Sequence, residues 1–240
     1  MLITLYNEKE LYSFSTKAGL LYIKDLGNIN TGGFSLSTEE IEIGSRKFKI
    51  RESTLNDISS SIERGPQIVL PKDVTMIGFE LNLPFCSKML EIGGGAGGFS
   101  ILSALMYKTK IDSFELNEEY FKLQLKNIRR FEVGELITSN NKDGMEAEID
   151  RYDTIFIDNP EPWNFLDIPL TGTKRVSSIL PTYSQAENFS RFLIKKGFLV
   201  NAHQLIDVPM KLSAMGMRPE TSFLYHTGFI VSGVGVNLNG

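Results

Sequence analysis

The chain has 240 residues, of which 42% are hydrophobic and 22% charged, a composition typical of a globular protein with a sizeable core. We find no apolar run of membrane-spanning length and no signal peptide, so we expect a cytoplasmic protein. The single cysteine, Cys86, excludes an internal disulfide, and with only two histidines we expect no metal site. The net charge of −4 argues against nucleic acid as a partner, except through a local basic patch.

The first part of the chain, to about residue 53, alternates short apolar runs with glycine turns, which predicts a small all-β domain. A capping-box pattern at residues 54–57 then begins a helix that we expect to run to about Arg64. We place the domain boundary at this helix, giving a β domain with its linker helix at 1–62 and a second domain at 63–240. The densest basic cluster of the chain, residues 46–51, lies on a predicted strand of the first domain.

Two prolines in residues 64–73 predict an extended connector, after which Asp73 is placed to cap a helix from Val74 to Leu83. The most informative segment follows. Met89 to Ile92 reads as a buried strand, and Phe99 begins a helical apolar pattern. Between them lie five glycines in six residues: Gly93, Gly94, Gly95, Gly97 and Gly98.

This glycine loop predicts a ligand that lies against the backbone, with an anionic group at the helix N-terminus. Two ligands fit the pattern. Gly93, Gly95 and Gly98 match the spacing of a dinucleotide loop, whereas an acidic residue two places before the first glycine, here Glu91, is typical of S-adenosylmethionine loops. Glu115, at the end of the next predicted strand, can accept the ribose hydroxyls of either cofactor.

Beyond the loop, strands and helices alternate, which predicts a mostly parallel α/β sheet with helices on both faces. The last two strands have no helix between them, which predicts an antiparallel final strand. The predicted strands are 111–114, 136–139, 154–157, 175–180, 198 to about 208 and 223 to about 236, and the predicted helices are 118–131 and 184–196.

Ligands of such sheets bind at the carboxyl ends of the strands. Four acidic residues fall at consecutive strand ends, namely Glu91, Glu115, Asp143 and Asp158. Asp143 has two interpretations, since it can contact the adenine amino group of a cofactor or act as an ordinary turn residue before Gly144. Together the four predict one nucleoside-binding site.

The segment Asp158-Asn-Pro-Glu-Pro-Trp163 follows a predicted buried strand, and its prolines stiffen the backbone there. This arrangement holds Asp158 in a defined position at the reactive end of the cofactor. Trp163, the only tryptophan, is a candidate for the wall of a base pocket.

With these motifs the chain resembles the tRNA (adenine-N1) methyltransferase family, which modifies an adenosine of the T-loop. The segments that carry the resemblance are Arg64–Gln67, Pro71–Asp73, Leu90–Gly98, Phe114–Glu115, Asp158–Trp163, Leu180–Thr182 with Gln185, and His226–Phe229. The resemblance implies a small N-terminal β domain before a Rossmann-like class I methyltransferase domain, S-adenosylmethionine as cofactor, tRNA as partner and a homotetramer or a mixed oligomer with a homologous chain.

The resemblance also implies site residues. Those at the cofactor are Gln67, Glu91, Gly93, Gly94, Gly95, Ala96, Gly97, Glu115, Leu116, Tyr120, Asp143 and Asp158. Asp158 is the catalytic residue, and Trp163 and His226 contact the substrate. With a reference pKa of about 3.9, Asp158 is expected to be ionised and to accept a hydrogen bond from the exocyclic amine of the adenine.

The chain departs from the family pattern at Leu70, where tyrosine or histidine is usual, at Ala96, where serine is usual, and at Asn159, where leucine is usual. Leu70 leaves open a non-catalytic RNA-binding partner subunit, and a methyltransferase with another substrate is a further alternative. Asn159-Pro160 partly matches the motif of amino-group methyltransferases, from which Glu161 departs. A dinucleotide oxidoreductase has the least support, because no catalytic histidine or tyrosine–lysine arrangement stands in the expected place.

Overall fold

The structure is a computed structural model that describes residues 1–65, 68–166, 174–214 and 216–235. Within these ranges, a small all-β region precedes a larger α/β region. No helix in the described part of the chain is long and apolar enough to cross a membrane.

The all-β region contains six strands, which are β1 (Leu2–Tyr6), β2 (Leu11–Ser15), β3 (Leu20–Ile23), β4 (Gly27–Asn30), β5 (Glu40–Ile43) and β6 (Arg46–Glu52). Four of them form an antiparallel sheet in the order β2-β1-β6-β5, and β3 pairs with β4. Ile3, Leu5, Phe14 and Phe48 are buried in a core formed only by this region. The predicted all-β region is confirmed, and the domain boundary at residue 62 stays a prediction.

The basic cluster of this region is largely neutralised. Three of its four basic residues pair with carboxylates, namely Arg46 with Glu10 at 2.6 Å, Lys47 with Glu40 at 3.3 Å and Arg51 with Asp57 at 2.6 Å. Because each of these three cations has its own anion, β6 presents less free positive charge to a phosphate backbone than its sequence suggests.

Five helices are described, namely α1 (Leu55–Ser61), α2 (Pro71–Glu80), α3 (Gly98–Tyr107), α4 (Glu118–Phe131) and α5 (Tyr183–Lys195). The predicted capping box is present at Thr54 and Asp57, but α1 ends at Ser61 because Ile62 is extended. The prediction for α2 was wrong at its start. The fixed φ of Pro71 suits the first helical position, so Asp73 lies buried inside the first turn and does not cap the helix.

The larger region contains nine described strands, which are β7 (Lys88–Ile92), β8 (Lys110–Phe114), β9 (Ile137–Asn140), β10 (Thr154–Ile157), β11 (Arg175–Leu180), β12 (Phe198–His203), β13 (Met210–Ser213), β14 (Gly216–Pro219) and β15 (Phe229–Gly235). Seven form one sheet in the order β12-β15-β11-β10-β7-β8-β9. Strands β7 to β11 are mutually parallel, and β15 is antiparallel to both of its neighbours. The mostly parallel sheet with an antiparallel final strand is therefore confirmed.

The sheet has a hydrophobic core on each face. Consecutive residues of one strand point to opposite faces, so Met89 packs in one core and Leu90 in the other. Helices α2, α3 and α4 cover the first face and α5 covers the second. The two predicted final strands were too long, because β12 ends at His203 and β15 begins at Phe229. Strands β13 and β14 lie outside this sheet as an exposed hairpin, between the two segments that were predicted as strands.

Asn127 of α4, which is fully buried, joins Glu63, just beyond the end of α1, to the glycine loop. Its Oδ1 accepts from the Glu63 amide at 3.0 Å, and its Nδ2 donates to the Glu63 and Ala96 carbonyls at 2.9 Å each. One amide side chain therefore satisfies three backbone groups that would otherwise be buried without partners.

Candidate active site

The glycine loop turns tightly between β7 and α3. Gly93 has φ +86°, and a Cβ there would lie 2.2 Å from the carbonyl oxygen of Asp158. A Cβ on Gly94 would lie 2.2 Å from Ser113 Oγ. Both amides donate to the Phe114 carbonyl, at 2.9 and 3.0 Å. Only glycine fits these two positions, and the loop is thereby held against the ends of the neighbouring strands.

A cavity of about 600 Å³ opens between this loop and the carboxyl ends of the parallel strands. Ten of the predicted cofactor-site residues line it, namely Glu91, Gly93, Gly94, Gly95, Ala96, Glu115, Leu116, Tyr120, Asp143 and Asp158. The structure thus brings together in one place residues that span almost seventy positions of the sequence. A volume of this size is within the range of small-molecule sites.

Glu91 lies at the inner wall of the cavity and is buried. Its Oε2 has no hydrogen-bond partner among the described residues. Burial raises the pKa of Glu91 to about 8, although the hydroxyls of Ser113 and Ser100 lower it, and the carboxylates of Asp158 and Glu115 raise it further. A buried carboxylate oxygen without a partner is costly unless a ligand supplies a donor or a positive charge.

Asp158 follows β10, and its amide donates to the Ile92 carbonyl at 2.8 Å. Burial raises the pKa of Asp158 to about 7, and the negative charge of Glu115 adds to the rise. The sequence-based expectation that Asp158 has its ordinary pKa and is fully ionised is therefore wrong for the protein without a ligand. Without a cation nearby, Asp158 is partly protonated at neutral pH.

Glu115 and Asp143 both bind backbone amides. Glu115 accepts from the amides of Gly95 and Asn117 at 2.7 Å each, which ties the end of β8 to the glycine loop. Asp143 accepts from the Met145 amide at 2.9 Å and caps a short 3-10 helix, and it also lines the cavity. Each carboxylate oxygen keeps a further lone pair for a ligand, so a turn role and a ligand role are compatible for both residues.

A second cavity of about 300 Å³ adjoins the first. The two share four lining residues, namely Ile68, Val69, Asp158 and Asn159. The second cavity is completed by Pro160, Ile179, Pro181 and Thr227. Asp158 therefore stands at the junction of two cavities, where it can contact ligands in both.

The remaining predicted residues lie elsewhere. Gly97 precedes α3 with φ +85° and packs towards Gln124. Trp163 packs against the core on the α5 face. His226 is held beside the second cavity, because its Nε2 donates to the Pro181 carbonyl at 2.8 Å. Gln67 falls outside the described residues.

Sequence reasoning missed several lining residues. The sequence predicts only an extended connector at Ile68 and Val69, whereas both residues line both cavities. Phe165 lies in a short 3-10 helix and Thr227 in the loop before β15, and no sequence pattern assigned either residue to a ligand. The two prolines that flank Ile68 and Val69 were the one available indication, since they predict a stiff segment.

The chemistry of the larger cavity suits a cationic nucleoside. Four carboxylates line it, and none of its described lining residues is basic. Among the described residues, no group of three histidine, cysteine or acidic side chains is arranged to hold a metal ion. The carboxylates and the glycine loop fit S-adenosylmethionine, which carries a sulfonium and an ammonium group beside a ribose.

Comparison with known proteins supports this assignment. The family model described as the GCD14 subunit of the tRNA methyltransferase complex matches residues 59–208. A tRNA (adenine(57)-N(1)/adenine(58)-N(1))-methyltransferase TrmI from Methanocaldococcus jannaschii is 24% identical, over 93% of this chain and 88% of its own length.

Two solved structures share the fold at 24% sequence identity. A tRNA (m1A58) methyltransferase TrmI from Aquifex aeolicus matches with a TM-score of 0.75, over 99% of this chain and 97% of its own. A SAM-dependent O-methyltransferase from Thermotoga maritima matches with a TM-score of 0.77, over 100% of this chain and 94% of its own. The predicted class I methyltransferase fold is confirmed by both.

Proposed function

We propose, from the premise that this chain belongs to the family of the GCD14 subunit of the tRNA methyltransferase complex, that it transfers a methyl group from S-adenosylmethionine to N1 of an adenosine in the tRNA T-loop. One observation carries the proposal. Asp158 lies where the carboxylate-lined cavity meets the second, smaller cavity, as expected of a residue that contacts both cofactor and base.

The chain's own residues provide the cofactor site. When bound, S-adenosylmethionine supplies an electrophilic methyl group on a cationic sulfonium. The unpartnered oxygen of Glu91 accepts from a cationic group of the ligand, and the free lone pairs of Glu115 accept from its ribose. Leu116 and Tyr120 provide apolar walls, and Asp143 accepts from an amino group. Gln67 and Gly97 remain predicted members of this site.

Asp158 provides the catalytic group. It accepts a hydrogen bond from the exocyclic amine of the adenine and stabilises the positive charge that develops on the ring. A charge-assisted hydrogen bond of this kind contributes roughly 1.5–3 kcal/mol. The positive charge of a bound ligand favours the ionised form of Asp158 and so opposes the rise in its pKa that burial causes.

The substrate enters the second cavity, and the adenine must leave its stack to reach it. His226 is fixed by the Pro181 carbonyl and by a 3.0 Å hydrogen bond with Gln204, at the edge of this cavity. We assign it to the substrate. Trp163 packs against the core and lines neither cavity, so its contact with the substrate stays a prediction.

We further propose a cytoplasmic assembly, either a homotetramer or a mixed oligomer with a homologous chain. Support comes from the exposed hairpin β13–β14, where Leu212 is 76% exposed and Met217 65% exposed. Apolar side chains at such exposure mark an interaction surface when they are adjacent. The division into domains 1–62 and 63–240 is part of the same proposal.

The experiment incubates the purified protein with unmodified tRNA and radiolabelled S-adenosylmethionine, then digests the RNA and identifies the labelled nucleoside. We expect 1-methyladenosine. A different labelled nucleoside overturns the proposed substrate. Unlabelled RNA together with measurable cofactor binding overturns the proposed activity of the isolated chain and favours the partner-subunit alternative.

A further inference from the structure

Asn159, the residue after Asp158, has a side-chain amide held in one orientation. It is half-buried and lines both cavities. Its Oδ1 accepts from the Glu161 amide at 2.9 Å, which closes an Asx turn. Because the Glu161 amide can only donate, the oxygen of the Asn159 side chain must face it. The NH₂ group therefore points away from the turn.

That NH₂ group is available to a ligand. Asn159 Nδ2 has no hydrogen-bond partner among the described residues, whereas the oxygen of the same side chain has one. A donor of fixed direction that lines a cavity is a feature of sites that recognise a polar edge.

The loop that carries Asn159 is rigid on independent grounds. Pro160 and Pro162 restrict the backbone. Gln185, in the first turn of α5, donates to the Pro160 carbonyl at 3.1 Å. The loop is thereby anchored to a helix, so the amide of Asn159 is positioned before any ligand binds, which reduces the entropy that binding would cost.

Asp158 and Asn159 together present an acceptor beside a donor. Adenine presents the complementary pattern on one edge, because its 6-amino group donates and its N7 accepts. Guanine presents an acceptor, O6, where adenine has the amino group, so an ionised Asp158 would face another acceptor. The pair therefore matches adenine and disfavours guanine.

We propose that Asn159 recognises the target base, with its Nδ2 donating to N7 of the adenine whose 6-amino group donates to Asp158. This assignment rests on the proposed function, and it identifies a specificity-determining residue within it. N1 and N7 lie on opposite sides of the 6-amino group. Recognition through N7 therefore leaves N1 without a protein partner and free to react.

The test compares two RNAs and three proteins. The RNAs are a tRNA transcript and the same transcript made with 7-deazaadenosine, which has a carbon in place of N7. The proteins are wild type, Asn159→Leu, which has similar size and no donor, and Asn159→Asp, which keeps the acceptor for the Glu161 amide. The rate of 1-methyladenosine formation, or of its 7-deaza counterpart, is measured as kcat/KM.

For wild type we expect about a tenfold lower kcat/KM on the 7-deaza transcript, which corresponds to one hydrogen bond. Asn159→Leu and Asn159→Asp should lose about as much on the ordinary transcript and nothing further on the 7-deaza transcript. This non-additivity distinguishes recognition of N7 from a general effect of the modified RNA, because such an effect would lower the rate of all three proteins.

Asn159→Asp also separates recognition from a structural role. If Asn159 only closed the turn, Asn159→Asp would retain wild-type kcat/KM, and that result overturns the proposal. Equal wild-type rates on the two RNAs, or a variant that still loses activity on the 7-deaza transcript, also overturn it. A wild-type protein that methylates neither RNA overturns the proposed function itself, and this outcome is distinct from the other three.

Discussion

Two acidic residues in neighbouring parallel strands of the large sheet have opposite surroundings. Asp112 of β8 lies 2.6 Å from Lys88 Nζ and accepts a 2.5 Å hydrogen bond from the Tyr152 hydroxyl. Glu91 of β7 is more deeply buried, yet its Oε2 has no partner among the described residues. The two residues belong to strands that pair directly.

The difference separates a structural carboxylate from a ligand-binding one. Asp112 receives a cation and a hydroxyl from the protein, so its negative charge is stabilised in the folded chain without a ligand. Glu91 and Asp158 lie beside a cavity whose described lining contains no cation, so burial raises the pKa of both. A cationic ligand would provide for Glu91 and Asp158 the positive charge that Lys88 provides for Asp112.

The largest expected effect comes from removing the charge at the junction of the cavities. Asp158→Asn should lower kcat about 10²–10³-fold, as the loss of one group that stabilises transition-state charge does in other enzymes. The steady-state rate of tRNA methylation at saturating tRNA and cofactor measures this. Asp112→Asn is the matched control and should keep kcat within about twofold. Equal losses in the two variants would contradict the distinction between the two carboxylates.

Glu91→Gln should weaken S-adenosylmethionine binding about tenfold, because a neutral amide replaces the carboxylate that faces the ligand. In wild type, the raised pKa values of Glu91 and Asp158 mean that cation binding releases protons at neutral pH, so the Kd should fall as pH rises from 6 to 8.5. Titration calorimetry in two buffers of different ionisation enthalpy measures the release. A Kd independent of pH would argue that neither group titrates on binding.

The same substitution should stabilise the protein without ligand at alkaline pH. The pKa of Glu91 is raised to about 8 in the folded chain, so between its ordinary value and pH 8 the folded chain holds a proton that the unfolded chain has released. Wild type therefore loses stability as pH rises through this interval. Glu91→Gln should raise Tm by about 4 °C at pH 8.5 and by less at pH 5. A constant difference across this range would exclude titration of Glu91 as the cause.

The smallest effect is expected for the paired carboxylate. Asp112→Asn should lower the free energy of unfolding by about 1 kcal/mol, because Lys88 is half exposed and only the hydrogen bond from Tyr152 is well shielded. Urea denaturation at pH 7 measures this. Tyr152→Phe removes the same hydrogen bond and should give a similar loss. A much larger loss for Asp112→Asn alone would show that the pairing with Lys88 is the stronger contribution.

Elements with strong local patterns could be predicted from the sequence. The helix Glu118–Phe131 and the strands 154–157 and 175–180 have the predicted bounds, because amphipathic periodicity and apolar runs are local properties. The insertion of β15 between β11 and β12 depends on pairing between distant strands. The hairpin β13–β14 was not predicted, since it falls between the two segments interpreted as final strands and all of its residues are exposed.

The site was predictable in its composition but not in its electrostatics. Glycines and acidic residues at strand ends identify a nucleoside site by position alone. The raised pKa of Asp158 depends on burial and on the approach of Glu115, which no sequence spacing reveals. The second cavity was not predicted for a similar reason, since Ile68 and Thr227 are distant in sequence and line the same cavity only in the folded chain.

The side-chain amide of Asn127 links the glycine loop to a backbone amide outside the loop. The backbone N–H of Glu63 donates to this side chain, which also donates to the Ala96 carbonyl of the loop. Any ligand that orders the loop therefore slows the opening that would expose the Glu63 hydrogen to solvent. In a hydrogen-exchange experiment, the peptide containing Glu63 becomes a reporter of occupancy at the loop, although Glu63 lies just beyond α1 and outside the loop.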